Sequence, residues 1–175
     1  LLTEIELDKL TFSKYGQLKY HGIVDQEISS WMAKFRKNGR HKKIDKFGRG
    51  NVEAAIKLSR RNKFSSVQIL EDDLDKIIKQ YESIANGIQS TSAAPTKEDW
   101  LVLAYSDKDN TYMVTNDDIL YKVGKIVIGE RSLEIEDLIR NLYEDEVLSK
   151  EQVNEYSQRL EDYGESFKIM KVLKN

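Results

Sequence analysis

Apolar positions in this chain fall mostly at helical spacing, interrupted by three short stretches that alternate or cluster like strands. Ile28, Trp31, Met32 and Phe35 recur at i, i+3, i+4 and i+7, which predicts a helix over about 25–37. Leu74, Ile77, Ile78, Tyr81 and Ile84 form a second stripe, over about 72–88. Thr96 with Asp99 three residues on is an N-cap pair opening a helix through Tyr105. Two further helices are expected at about 133–143 and 150–163, the second opened by a Ser149/Gln152 capping box. A short helix is expected at about 52–61 and another at 119–123. The strand candidates are Phe64–Leu70, Thr111–Thr115 and Lys125–Ile128. His21–Val24 reads as a short strand or turn. The Gly-, Lys- and Arg-rich stretch Asn38–Gly50 reads as a loop.

Strands separated by helices, with no hairpin signature between them, argue for a parallel sheet covered on both faces. The expected fold class is therefore α/β, a three-layer α/β/α arrangement around a central, mostly parallel sheet. At 175 residues, 39% hydrophobic and 33% charged, the chain fits one domain with a sizeable core, residues 1–175. No run approaches about 18 apolar residues, so a membrane span is not expected. The start, Leu1-Leu2-Thr3-Glu4, has neither the basic nor the apolar region of a secretory signal. It also lacks an initiator Met, which is compatible with a beginning inside a longer chain. With no Cys and only His21 and His41, thiolate and imidazole metal sites are not expected. The composition suits a cytoplasmic protein whose metal chemistry would rest on oxygen ligands.

Charge changes the picture. The net charge of −2 conceals 12 Lys/Arg against 2 Asp/Glu between Lys34 and Lys63. The segment at about 36–63 therefore reads as a basic loop and helix inserted into an acidic body. Such a segment suits contact with phosphate, or equally a solvated surface.

Three places could carry chemistry. Thr115-Asn116-Asp117-Asp118 follows the apolar run Tyr112-Met113-Val114, and ligands bind beyond the carboxyl ends of parallel strands. Asp117 and Asp118 offer hard oxygens to Mg²⁺ or Mn²⁺, or they simply cap the next helix. Asp99 opens a helix that runs back along the strand ending near Asp117, so the two carboxylates are expected at one sheet edge. Glu27 lies in the first turns of the helix after Val24 and is expected to reach the same edge.

Taken in order, Glu27, Asp99 within Asp99-Trp100-Leu101-Val102-Leu103-Ala104, and Asp117 within Thr115-Asn116-Asp117 resemble the acidic positions of PIN-domain, VapC-like nucleases. The stretch from Ile126-Val127-Ile128 to Ser149-Lys150-Glu151-Gln152 is similar to the tails of that family. The resemblance covers roughly Gly22 to the end. One departure stands out: the first-strand Asp-x-Asn motif is absent. Asp8 is the nearest candidate and precedes Glu27 by only 19 residues. The motif is expected upstream of Leu1, or else the site is degenerate.

The resemblance implies hydrolysis of phosphodiesters, of RNA more than DNA. Mg²⁺ or Mn²⁺ would be held by Glu27, Asp99, Asp117 and Asp118, with Thr115 and Asn116 behind them. Crowded carboxylates without a cation should also bind protons more readily than isolated ones. Lys42, Lys43, Arg49, Arg60 and Arg61 would meet backbone phosphate without reading bases. His41 and Phe47 are candidates for stacking on unpaired bases, with Phe47 equally able to anchor the loop to the core. A homodimer and a protein antitoxin are the protein partners the resemblance brings in. The rival expectation is a noncatalytic nucleic-acid-binding or assembly subunit that keeps the basic grip.

Overall fold

Apolar stripes become helices along most of the chain in the computed structural model, which describes residues 15, 22–61, 71–90 and 92–162. At 22–25, 27, 58–61, 71–72 and 159–162 only the backbone is described. The expected strand at 64–70 falls outside these residues. The chain divides into two compact units, residues 1–65 with 139–175, and residues 66–138.

In the first unit, α1 (Gly22–Asn38), α2 (Lys42–Phe47) and α3 (Arg49–Arg61) follow one another closely. Ile28 and Met32 on α1, Ile44 on α2 and Val52 on α3 form a small buried cluster, packed by Trp31, Phe35, Phe47, Ala55 and Ile56. Gly39 and Gly48 turn the chain between these helices at φ +71° and +80°, the left-handed region that a side chain disfavours. The stretch 38–50 is thus a helix with tight turns on either side, not a loop. Burying Ile44 and Val52 outweighs a local composition that reads as coil. The same unit holds the later part of α7 (Ile135–Glu144) and all of α8 (Lys150–Asp162). The expected box opens α8: the Ser149 amide donates to Gln152 Oε1 at 2.9 Å, and the Gln152 amide to Ser149 Oγ at 3.3 Å.

In the second unit, α4 (Glu71–Asn86), α5 (Lys97–Lys108) and α6 (Asp118–Ile128) pack around Ile78, Tyr81, Trp100, Leu103, Ala104, Ile119, Leu120 and Val123. Two strands complete it, β1 (Met113–Val114) and β2 (Ser132–Leu133). They pair in parallel, Met113 with Ser132 and Val114 with Leu133, and α6 forms the crossover. The Thr115 amide extends the ladder to the Leu133 carbonyl at 3.0 Å. Gly124 of α6 lies directly against Met113 and Ser132, where a side chain would not fit. Beside the pair, the Arg131 guanidinium donates to the Ser106 and Thr111 carbonyls at 3.0 and 3.2 Å.

The three-layer α/β/α fold with a central sheet is therefore overturned. The protein is mostly helical, with one two-stranded parallel sheet among the described residues. The physical reason is clearest at Lys125–Ile128, read above as a strand. A strand would place Ile126 and Ile128 on one face, yet Ile126 is 64% exposed and Ile128 5%. These residues instead continue α6, whose buried positions 119, 120, 123, 124 and 128 share one helical face. His21–Val24 differs likewise: α1 is already helical from Gly22. No helix among the described residues is long and apolar enough to cross a membrane.

Candidate functional site

Asp117 stands three residues beyond the carboxyl end of β1 and is the N-cap of α6. Its Oδ1 accepts from the Leu120 amide at 2.8 Å, and its own amide donates to Thr115 Oγ1 at 3.1 Å. Thr115 thus braces the turn that aims Asp117. Asn116 is exposed. The other carboxylate oxygen, Oδ2, takes no hydrogen bond among the described residues. One oxygen holds the helix and one remains available.

Asp118 is the first residue of α6. Its Oδ2 meets Lys122 Nζ at 2.8 Å and accepts from Ser90 Oγ at 2.9 Å. The Lys122 hydrogen bond, then that of Ser90, holds this carboxyl below the usual range. It is charged at any ordinary pH.

Sequence reasoning missed Glu134, which occupies the equivalent place one residue beyond β2. Its carboxyl is pushed above the usual range, first by burial and then by Asp137, Glu136 and Asp118, with Lys122 opposing. Asp137 is fixed by the Tyr121 hydroxyl at 2.9 Å and the Glu134 amide at 3.2 Å, both donating to its Oδ2. The available signal was positional, an acidic residue directly after Ser132-Leu133, without the flanking amide and hydroxyl that mark Asp117. The parallel pair thus has carboxylates beyond both of its C-terminal ends.

Asp99 is engaged elsewhere. Its Oδ2 accepts from the Thr96 amide and the Thr96 hydroxyl, each at 2.8 Å, and its amide donates back to Thr96 Oγ1 at 3.4 Å. This is a complete capping box for α5. Glu27 belongs to α1 in the first unit, and its side chain lies outside the described residues.

Among the described residues no three carboxylates stand close enough to enclose a metal ion. The donor set does fit Mg²⁺, which is commonly held by one or two carboxylates, with water and substrate phosphate filling the rest of its octahedron. Asp117 Oδ2 and Asp118 supply that minimum. Of the basic candidates, Lys42 and Lys43 open α2 and Arg49 opens α3, where it pairs with Glu53 at 2.8 Å. Arg60 and Arg61 end α3, with side chains outside the described residues. A shallow groove between α4 and α5 is lined by Asp73, Lys76, Tyr81 and Asp107, and none of the candidate residues reaches it.

Glu134 sets a pH dependence. Because its carboxyl binds a proton more tightly in the folded state, its contribution to stability is greatest at acid pH. That contribution is lost as pH rises from about 4.3, the ordinary glutamate value, through the raised folded value. Glu134→Gln should remove this fall and be the more stable form at pH 7. Urea unfolding at pH 4 and pH 7 checks it, and a wild-type difference unchanged by the substitution refutes the assignment. Compared with known proteins, the chain matches no family model, no curated protein and no solved structure.

Proposed function

We propose that this protein hydrolyses phosphodiester bonds of nucleic acid with a divalent metal ion held beyond β1 and β2. The observation that carries the reading is the position of Asp117 and Asp118 just beyond β1 and of Glu134 just beyond β2, at the carboxyl ends of two adjacent parallel strands. Glu134's raised proton affinity comes first from burial and then from Asp137 and Glu136, with Asp118 adding a smaller share, and a nearby cation would relieve such crowding. The local resemblance to PIN-domain nucleases, clearest between about Thr96 and Ile128, supports the same chemistry and favours RNA over DNA.

Asp117 and Asp118 would hold Mg²⁺ or Mn²⁺. An ion bound there would activate water and offset charge on the phosphoryl group. The chain's own part is positional. Thr115 and the α6 amides fix Asp117, and Lys122 keeps Asp118 ionised. The basic helices of the first unit, with Lys42, Lys43 and Arg49, would grip backbone phosphate.

A second reading, a binding module without hydrolysis, is favoured by those same helices, since their charge alone suffices to hold nucleic acid. One experiment separates the two: Mn²⁺-dependent cleavage of single-stranded RNA by the wild type and by Asp117→Asn. Asn caps a helix about as well as Asp, so the substitution should leave the unfolding midpoint in place. Cleavage should fall by about 100-fold. Cleavage that survives the substitution refutes the site. Salt-sensitive RNA retention without cleavage by the wild type assigns the binding module.

A further inference from the structure

The start of α2 brings aromatic rings and lysines together on the first unit. The His41 imidazole stacks on the Trp31 indole, with centroids 6.3 Å apart and planes 19° from parallel. Lys43 Nζ lies 5.9 Å from the Trp31 ring centre and 5.8 Å from that of Phe47. All three rings are half-buried. Trp31 and Phe47 pack against Ile28, Met32, Ile44 and Val52, so their backs are anchored in the small core. His41 is placed differently: its Nδ1 is sealed from solvent and has no hydrogen-bond partner among the described residues. Among the described residues, ring stacking is the interaction the structure gives this imidazole. Lys42 and Lys43 engage no carboxylate among the described residues.

We infer that Trp31 and His41, flanked by Lys42 and Lys43, form a stacking platform for an unpaired base, which makes single-stranded nucleic acid the substrate class. This rests on the nucleic-acid reading above and narrows it. An anchored aromatic ring offers a π-face that any base can cover, and adjacent ammonium groups meet the flanking phosphates. In a duplex the base faces are already stacked and unavailable. A merely solvated basic helix would bind in proportion to phosphate charge and be indifferent to whether bases are present. Phe47, packed on the core with two ammonium groups at its ring, anchors the platform, whereas Trp31 is the ring that carries the stacked His41.

The test uses the full chain carrying Asp117→Asn, in EDTA, so that hydrolysis does not intrude. The probes are an oligouridylate of about ten nucleotides, within the range of single-strand sites, an abasic oligomer of equal length and charge, and an RNA duplex. Trp31 emission reports stacking, because the other tryptophan, Trp100, is 2% exposed. The oligouridylate should quench this emission and bind about ten-fold tighter than the abasic oligomer, with the duplex weakest. His41→Ala should bring oligouridylate affinity down to the abasic level while abasic binding stays put. Trp31→Leu, checked for folding by circular dichroism, should do the same. Lys42→Ala with Lys43→Ala should weaken both single-stranded probes and flatten the salt dependence. Equal affinity for the two oligomers, duplex binding as tight as single-strand binding, or an indifferent His41→Ala overturns the inference. Cleavage is scored separately on unsubstituted protein with Mn²⁺, so loss of the nuclease reading and loss of the stacking platform give different results.

Discussion

Trp100→Ala should destabilise the second unit by about 3–5 kcal/mol, the cost of removing a large aromatic side chain from a packed core. Trp100 is 2% exposed and tilted against Tyr81, with ring centroids 6.1 Å apart and planes at 49°. The capping box at Thr96 and Asp99 fixes the first turn of α5, and with it the direction in which this side chain enters the core. A small domain has about 5–15 kcal/mol of stability in all, so the loss approaches global unfolding. Far-UV circular dichroism in urea gives the number. Ile126→Ala is the internal control: on the exposed side of α6 it should change stability by no more than about 0.5 kcal/mol. A Trp100→Ala penalty near that of Ile126→Ala would contradict the described core.

Gly124→Ala should cost about 2 kcal/mol although the residue sits inside a helix, where Ala is ordinarily the better choice by about 1 kcal/mol. The sign is decided by what the new methyl meets. A Cβ built on Gly124 overlaps Ser132 Oγ, comes within 2.7 Å of Met113 Cε and lies 2.9 Å from Ser132 Cβ. The Met113 terminus can bend away, but Ser132 Cβ is fixed to the β2 backbone and is fully buried. Either α6 or β2 must therefore shift, and overpacking of this kind costs about 1–3 kcal/mol. Ser132→Ala should not rescue the variant, because its Cβ remains, whereas Ser132→Gly should recover most of the loss. The same change at Gly50, with open space around it, should instead stabilise by about 0.4–1 kcal/mol. Urea midpoints of the four single variants and the two doubles check the argument. A neutral Gly124→Ala would mean that α6 does not lie against β2 as described.

The helices were legible where an apolar stripe and a terminal signal agreed. Leu74 to Ile84 marked α4, and Thr96 with Asp99 marked the start of α5, because those cues act within a few residues of each other. Lys125–Ile128 was not legible. Three consecutive β-branched residues suit a strand, and only the continuity of Ile128 with Ile119, Leu120 and Val123 on one buried face, with Ile126 turned to solvent, marks them as helical. Asn38–Gly50 failed for the opposite reason: its composition is that of coil, and the order comes from packing at Ile44 and Val52. At the candidate site, the position of Asp117 could be anticipated from the apolar run before it. Glu134 could not: Glu136 and Asp137 are its sequence neighbours, but the burial that leads its raised proton affinity, and the nearness of Asp118, exist only after α6 has carried the chain from one strand to the next.

Two strands of two residues each pose an alignment problem. A hairpin solves it through its turn, whereas a parallel pair separated by a whole helix could slide by one position, turning each side chain to the wrong face. Arg131 supplies the missing stop. Its guanidinium sits immediately before β2 and holds the Ser106 and Thr111 carbonyls ahead of β1, so the two strands begin from a common origin. Both bonds leave its Nη1, while Nη2 lies 3.8 Å from Asp107 Oδ1; a lysine there would keep the charge but lose this second nitrogen held in the guanidinium plane. The positions of Asp117 and Glu134 relative to each other are thus inherited from an arginine at the far ends of the strands.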